Sequence, residues 1–333
     1  MDGEGGNGQG GVGHDRTDGT ERWRFQRLPT ADGGRLRLGF WPAPATPRGS
    51  VLLLPGRCET LEKYAEQAAD WTRRGFAAVG LDWRGQGGSS RFLANAHKGH
   101  VTDFDLYLDD LATALPVLLP ADSPGPAVAF GHSMGGHILL RFLAERPHPF
   151  AAAVACAPML GIRTAPLPEP LARMVAAAMV RRGLGEHYAL GQTDWLPADP
   201  PFAGNPLTSD PARFLVGHVA YRDDPELALG GVTWGWLDAA FRSMRRLWRD
   251  ARVAALTVPV LVLSAGGDRI VLSARQQAFA TRLPQGRVRV YPRAQHELMM
   301  EVDSIRDRVW ADIDAFLAEA LPTPAGAPAP AAA

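Results

Sequence analysis

The chain has 333 residues, with 35 lysines and arginines balanced by 35 aspartates and glutamates, so its formal net charge at pH 7 is zero. That length can bury a substantial core, and the charge balance argues against a general nucleic-acid binder, which shows a basic excess or stripe. Two cysteines, Cys58 and Cys156, set no disulfide framework and read as small buried hydrophobes.

The first twenty residues, MDGEGGNGQGGVGHDRTDGT, lack an apolar segment of signal-peptide length and read as a disordered Gly-rich tail. Residues 22–28 and 35–41 alternate apolar and polar around Ala31-Asp32-Gly33-Gly34, which predicts an edge hairpin. Short apolar runs at 51–54, 76–81, 127–130 and 151–155 predict buried parallel strands, with helices near 60–74, 103–119 and 135–146 between them. The rhythm lapses over 159–250, which holds proline clusters, Trp195, Trp234, Trp236 and the stretch LARMVAAAMV at 171–180. It returns with a strand at 259–264, a helix near 272–282, a strand at 287–291 and a final helix near 302–320, before a Pro/Ala tail at 322–333.

Alternating strands and helices imply an α/β fold with a doubly wound, mostly parallel sheet. Its core is expected over 21–158 and 251–321, with 159–250 inserted as a mainly helical cap. No run approaches the roughly 20 apolar residues of a membrane-spanning helix, and the expectation is a soluble, cytoplasmic protein with contact at the inner-membrane surface left open. Arg181-Arg182 and Arg245-Arg246 read first as solvated helix faces and only second as contacts for anionic lipid headgroups. The turn Arg84-Gly85-Gln86-Gly87-Gly88 lacks the lysine and Ser/Thr of a phosphate loop and reads as structural.

Residues 127–136, AVAFGHSMGG, end an apolar run in Gly131-His132-Ser133-Met134-Gly135 and pass into a helix-compatible stretch. Such a strand–turn–helix thrusts a serine oxygen out where a base and backbone donors can reach it. A bare GxSxG match is weak in a chain with 36 glycines, and its context strengthens it. Asp268, in the Gly-rich turn after strand 259–264, and His296, in the loop after strand 287–291, follow Ser133 in the order serine, acid, base. Both lie at carboxyl ends of strands, where open α/β sheets place their sites. Asp268 taken alone reads as a helix cap and His296 as a surface loop residue; together with Ser133 they read as a catalytic triad. Glu297 and Asp82 are weaker candidates for the acid. An oxyanion needs two fixed donors, for which the backbone amides of Met134 and of Arg57, in the loop Leu54-Pro55-Gly56-Arg57-Cys58, are the candidates. The Arg57 side chain reads equally as a salt bridge or a substrate contact. His97 and His100 complete no metal-ligand constellation, and neither a metal nor a cofactor is expected.

These residues are similar to the α/β-hydrolase superfamily, and more narrowly to the bacterial lysophospholipase and monoacylglycerol lipase group. PGRCETLEKYAEQAADWTRRGF (55–76), LDWRGQGGSS (81–90), KGHVTDFDLYLDDL (98–111), GHSMGG (131–136), NPLTSDPARF (205–214), GGVTWGW (230–236) and AQHELMMEVDSIRDRVWADIDAFL (294–317) carry the narrower likeness. It spans about 21–320. The monoacylglycerol lipases usually carry His-Gly at the oxyanion loop, where this chain has Pro55-Gly56, as the lysophospholipase branch does. The resemblance implies a serine carboxylic-ester hydrolase acting on a single-chain lipid ester, lysophospholipid or monoacylglycerol, through an acyl-enzyme. Leu171, Met174, Met179, Trp195 and Trp234 of the expected cap would then line an acyl channel, meet a lipid surface or pack the cap onto the core. A small-ester hydrolase or aminopeptidase on the same fold, and a catalytically silent lipid-binding protein, stay open as alternatives. Oligomeric state is not set by the sequence.

Overall fold

A computed structural model describes residues 22–198 and 200–321. The tails expected at 1–20 and 322–333 lie outside the described residues. Eight strands form one sheet: β1 (Arg24–Pro29), β2 (Arg35–Phe40), β3 (Gly49–Leu54), β4 (Phe76–Asp82), β5 (Ala127–His132), β6 (Phe150–Cys156), β7 (Val260–Ala265) and β8 (Gly286–Tyr291). Their spatial order is β1-β2-β4-β3-β5-β6-β7-β8. β1 and β2 pair antiparallel as the expected hairpin, β2 runs antiparallel to β4, and the remaining pairs are parallel.

The central strands are apolar throughout because both faces are covered. In β3, Val51 and Leu53 enter one core, and Leu52 and Leu54 enter the other. In β7, Leu261 and Leu263 divide from Val260 and Val262 in the same way. The first core is closed by α1 (Ala65–Arg73) and α8 (Asp303–Ala320), whose Trp71 and Trp310 meet edge to face with centroids 5.1 Å apart. The second is closed by α2 (Asp105–Leu118), α3 (Met134–Glu145) and α7 (Ser273–Ala280).

One expected helix divides. Residues 60–74 form a 3-10 turn, Leu61–Tyr64, before α1 begins. The buried Asp82 carboxylate accepts the Leu61 amide at 3.1 Å, which holds the chain in that tighter turn. Between β6 and β7, where no strand rhythm is visible, lie α4 (Glu169–Arg181), α5 (Pro211–Asp223) and α6 (Trp234–Arg249). Two of them carry explicit start signals: Asp210 accepts the amides of Ala212 and Arg213 ahead of Pro211 at the first turn of α5, and Thr233 accepts that of Trp236 in α6. α6 packs on α4 and on α3. No helix among the described residues is long and apolar enough to cross a membrane.

Candidate active site

The turn from β5 into α3 places Ser133 at φ 50°, ψ −112°, a left-handed backbone that a side-chain-bearing residue adopts only under constraint. The constraint is visible. The Ser133 amide donates to the Cys156 carbonyl at 2.9 Å, and the Ser133 carbonyl accepts from Met159 at 2.9 Å and His137 at 3.0 Å. Glycines make room for it: a Cβ on Gly135 would strike the carbonyls of Leu54 and Pro55, and one on Gly131 would lie 2.7 Å from the Gly135 oxygen.

The loops after β7 and β8 bring Asp268 and His296 to that turn. His296 Nε2 is 2.9 Å from Ser133 Oγ, and its Nδ1 is 2.6 Å from Asp268 Oδ2. The other Asp268 oxygen accepts the amides of Ile270 at 2.8 Å and Val271 at 2.9 Å. All three side chains are buried. Burial opposes the charge on Asp268, yet His296 and the two amides hold its carboxyl below the ordinary carboxylate value. An ionised Asp268 fixes the proton of His296 on Nδ1 and leaves Nε2 to accept from the serine. Arg57 and Met134 border the same cavity as Ser133, and neither amide donates to another group among the described residues. Two uncommitted backbone donors bordering the serine's cavity are compatible with an oxyanion site, which requires fixed donors of this kind.

A second histidine sits beside the first. His132 and His296 have ring centroids 4.9 Å apart; His132 Nδ1 lies 3.0 Å from Glu59 Oε2, and its Nε2 is 3.3 Å from the His296 carbonyl oxygen. Glu59 also accepts the Gly56 amide and the Tyr64 hydroxyl, each at 2.5 Å, while Lys63 bridges Glu59 at 2.9 Å and Glu297 at 2.5 Å. Burial works against both charges. Even so, His132 and Lys63 keep Glu59 well below its ordinary value, and Glu59 keeps His132 above its own. This buried quartet ties the Gly56 loop to the His296 loop. Nothing in the sequence pairs His132 with Glu59, which is 73 positions away. Glu297, weighed as an alternative acid, belongs to this quartet, and Asp82 is taken by Arg37. His100 contacts Thr233 at 2.8 Å and His97 stacks on Trp195, and neither lines the cavity at Ser133.

The cavity at Ser133 has a volume of about 370 Å³. Its apolar wall comes from Met159, Ile162, Val232, Trp236, Leu237 and Ile270, and none of Leu171, Met174, Met179, Trp195 and Trp234 lines it. Leu171 and Met174 are exposed on α4, at 38% and 59%, because that helix turns Ala172 and Ala176 inward. Met179 is half-buried on the same helix. Trp195 packs edge-on against Tyr221, and Trp234 packs half-buried against the second core. Two residues along a helix is about 200° of rotation, so on α6 the tryptophan that meets the cavity is Trp236. Helical phase within 230–236 was the signal that could have found it.

The family described as serine aminopeptidase, S33 matches residues 45–303. Lysophospholipase L2 of Escherichia coli (strain K12) is 34% identical over 267 residues, covering 77% of this chain and 76% of that protein. Monoacylglycerol lipase of Mycolicibacterium smegmatis is 26% identical over 271 residues, covering 81% of this chain and 88% of that protein. Among solved structures, a soluble variant of monoglyceride lipase from Saccharomyces cerevisiae, in complex with a substrate analog, shares the fold with a TM-score of 0.72 at 19% identity, covering 92% of this chain and all of that one. The chain therefore belongs to the serine aminopeptidase, S33 family of α/β-hydrolases, within its lysophospholipase and monoacylglycerol lipase-like group.

Proposed function

We propose that this protein hydrolyses the carboxylic ester of a single-chain lipid, a lysophospholipid or a monoacylglycerol, through an acyl-enzyme on Ser133. His296 takes the Ser133 proton as Oγ attacks the ester carbonyl, and Asp268 steadies the imidazolium that forms. The amides of Arg57 and Met134 hold the oxyanion. As the tetrahedral adduct collapses, His296 protonates the departing alcohol; water, activated by the same histidine, then attacks the acyl-serine and releases the fatty acid. The observation that carries this reading is the unbroken Asp268–His296–Ser133 relay opening on a largely apolar cavity. Relatives named lysophospholipase L2 and monoacylglycerol lipase support the lipid substrate.

We take residues 159–250 as a cap whose inner face sets substrate choice. Its outer face, with Leu171, Met174 and Val180 exposed and Arg181 and Arg182 exposed at the end of α4, suits contact with an anionic bilayer surface. The family description favours a second reading, cleavage of peptides from a free amino terminus. Such a substrate needs an unengaged carboxylate for its ammonium, and the cavity's Glu59 and Glu297 already share Lys63.

The test is a substrate panel on purified protein: lysophosphatidylcholine, a monoacylglycerol, a short p-nitrophenyl ester and a prolyl amide, with Ser133→Ala as control. Lipid turnover should dominate and fall about 10^6-fold in Ser133→Ala, and a fluorophosphonate probe should label only the serine form. Full esterase activity in Ser133→Ala would overturn the mechanism. Preference for the prolyl amide would overturn the substrate class.

A further inference from the structure

The side chain of the half-buried Arg57 is placed unlike those of the buried arginines. Arg37 is matched by Asp82 and Glu62, Arg84 by Asp110 and Asp32, Arg141 by Glu145 and Asp105, and Arg306 by Asp70. Arg57 has no carboxylate partner among the described residues. Nη2 donates to the Gly230 carbonyl at 2.5 Å and Nη1 to Cys58 Sγ at 2.8 Å, while Nε is enclosed with no partner among the described residues. Two of the five guanidinium protons are thereby engaged. Among the described residues half-buried Arg91 and Arg282 also lack a carboxylate, and Arg91 Nε is likewise unpartnered. Arg91, however, is spread over the carbonyls of residues 85, 87, 96 and 226–228, Arg282 donates to those of Trp248 and Asp250, and both stand outside the cavity. Arg57 borders the cavity beside Ser133 and lies over the ring of Trp236, another wall residue, 5.5 Å from its centroid. The cavity's two carboxylates do not neutralise it, since Lys63 holds both. A half-buried cation without a counter-charge is costly unless an anion arrives to meet it.

We propose that the Arg57 guanidinium is a specificity determinant that receives the phosphate of the substrate headgroup, making a lysophospholipid rather than a monoacylglycerol the preferred ester. This rests on the lipid-ester reading above and narrows it. A planar fork suits a phosphodiester, whose two free oxygens accept in parallel. The uncharged glycerol of a monoacylglycerol offers no matching charge and leaves the cation uncompensated.

The experiment compares kcat/KM for 1-palmitoyl lysophosphatidylcholine and 1-palmitoylglycerol, in one nonionic detergent, for the wild type, Arg57→Met and Arg57→Lys. The phosphate-to-neutral ratio should fall about 30-fold in Arg57→Met, within the range of a hydrogen bond to a charged group, and recover in part in Arg57→Lys, which keeps the charge without the fork. If Arg57 only tethers the Gly230 loop, both substrates lose rate together; a ratio within twofold of wild type in both variants overturns the proposal. Wild-type protein supplies an arm independent of the variants' folding. Glycerophosphocholine should compete with 1-palmitoylglycerol hydrolysis at least tenfold better than glycerol does, and better than inorganic phosphate. Equal inhibition by glycerol, or stronger inhibition by inorganic phosphate, overturns the headgroup assignment. Wild-type protein that is labelled by fluorophosphonate yet turns over neither lipid removes the lipid-ester reading, and this one with it; turnover of both with an unmoved ratio removes this one alone.

Discussion

Two regions meet at the cavity and are built by different rules. The loops after β5, β7 and β8 each deliver one polar side chain from a turn whose backbone is pinned, as with Ser133 between the Cys156 and Met159 hydrogen bonds. The stretch between β6 and β7 delivers most of the apolar wall from a helix face and loop segments, so that what counts is which way each face turns. The first region is specified residue by residue. The second is specified collectively, and single substitutions in it should be correspondingly mild.

Asp268→Asn tests the first rule with the largest expected effect. It keeps the shape of the carboxyl and removes the charge that sets the His296 tautomer, so kcat should drop about 10^4-fold. Wild-type Asp268 is held below its ordinary value, so its stabilisation is present above about pH 4 and is lost as pH falls through the folded-state value. Asp268→Asn should flatten that acid limb of the thermal midpoint. A tenfold loss or less would mean that some other group orients His296.

Glu59→Gln probes the quartet that joins the two catalytic loops. Removing one partner of a buried charge cluster costs about 3–5 kcal/mol, and here it leaves His132, with Lys63, Tyr64 and Glu297 around it, short of its counter-charge. Because Glu59 raises His132, that part of the stability is complete below about pH 6.5 and fades as pH rises through the folded value. Thermal melts from pH 4 to pH 9 should show a lower midpoint in Glu59→Gln and a shallower decline on the alkaline side. A pH profile parallel to wild type would show that the Glu59–His132 charge pair contributes nothing.

The same division explains what the sequence discloses. Ser133 is legible because its turn demands glycines at fixed offsets, and Asp268 and His296 because each follows a short apolar run whose end is visible. The alternation of buried strands with helices is equally plain, and the apolar run 51–54 is the strand whose Val51 and Leu52 face opposite cores in the structure. The pairing of Glu59 with His132 is not legible, because it depends on the three-dimensional approach of loops far apart in the chain. The choice of Trp236 over Trp234 becomes legible only once the start of α6 is fixed, since both are aromatic and helical phase from that start sets which of them faces inward. On α4 Leu171 and Met174 point outward and Ala172 and Ala176 inward, the reverse of what side-chain size suggests.

Trp236→Ala opens space where Trp234→Ala should not. Enlarging the wall beside Ser133 should shift the preferred acyl length and change kcat/KM for a palmitoyl ester about 10-fold, as one pocket contact is worth about 1–3 kcal/mol in discrimination. Trp234→Ala should move total stability and leave the ratio between long and short acyl esters within about twofold. If the two variants alter chain-length preference alike, the wall is not defined by the inward phase of α6.

The smallest effect is expected at Met174, 59% exposed on α4. Surface substitutions of this kind usually stay within about 0.5 kcal/mol, so Met174→Ser should leave both the thermal midpoint and turnover of a soluble short ester nearly unchanged. Its effect should surface only with substrate presented in anionic vesicles, where losing an apolar anchor weakens adsorption. Sedimentation with vesicles separates the two regions cleanly: a variant that binds vesicles less but cleaves the soluble ester normally assigns α4 to the lipid surface. A tenfold loss on the soluble ester would instead bring α4 into the cavity wall and erase the distinction between the face that selects substrate and the face that meets solvent.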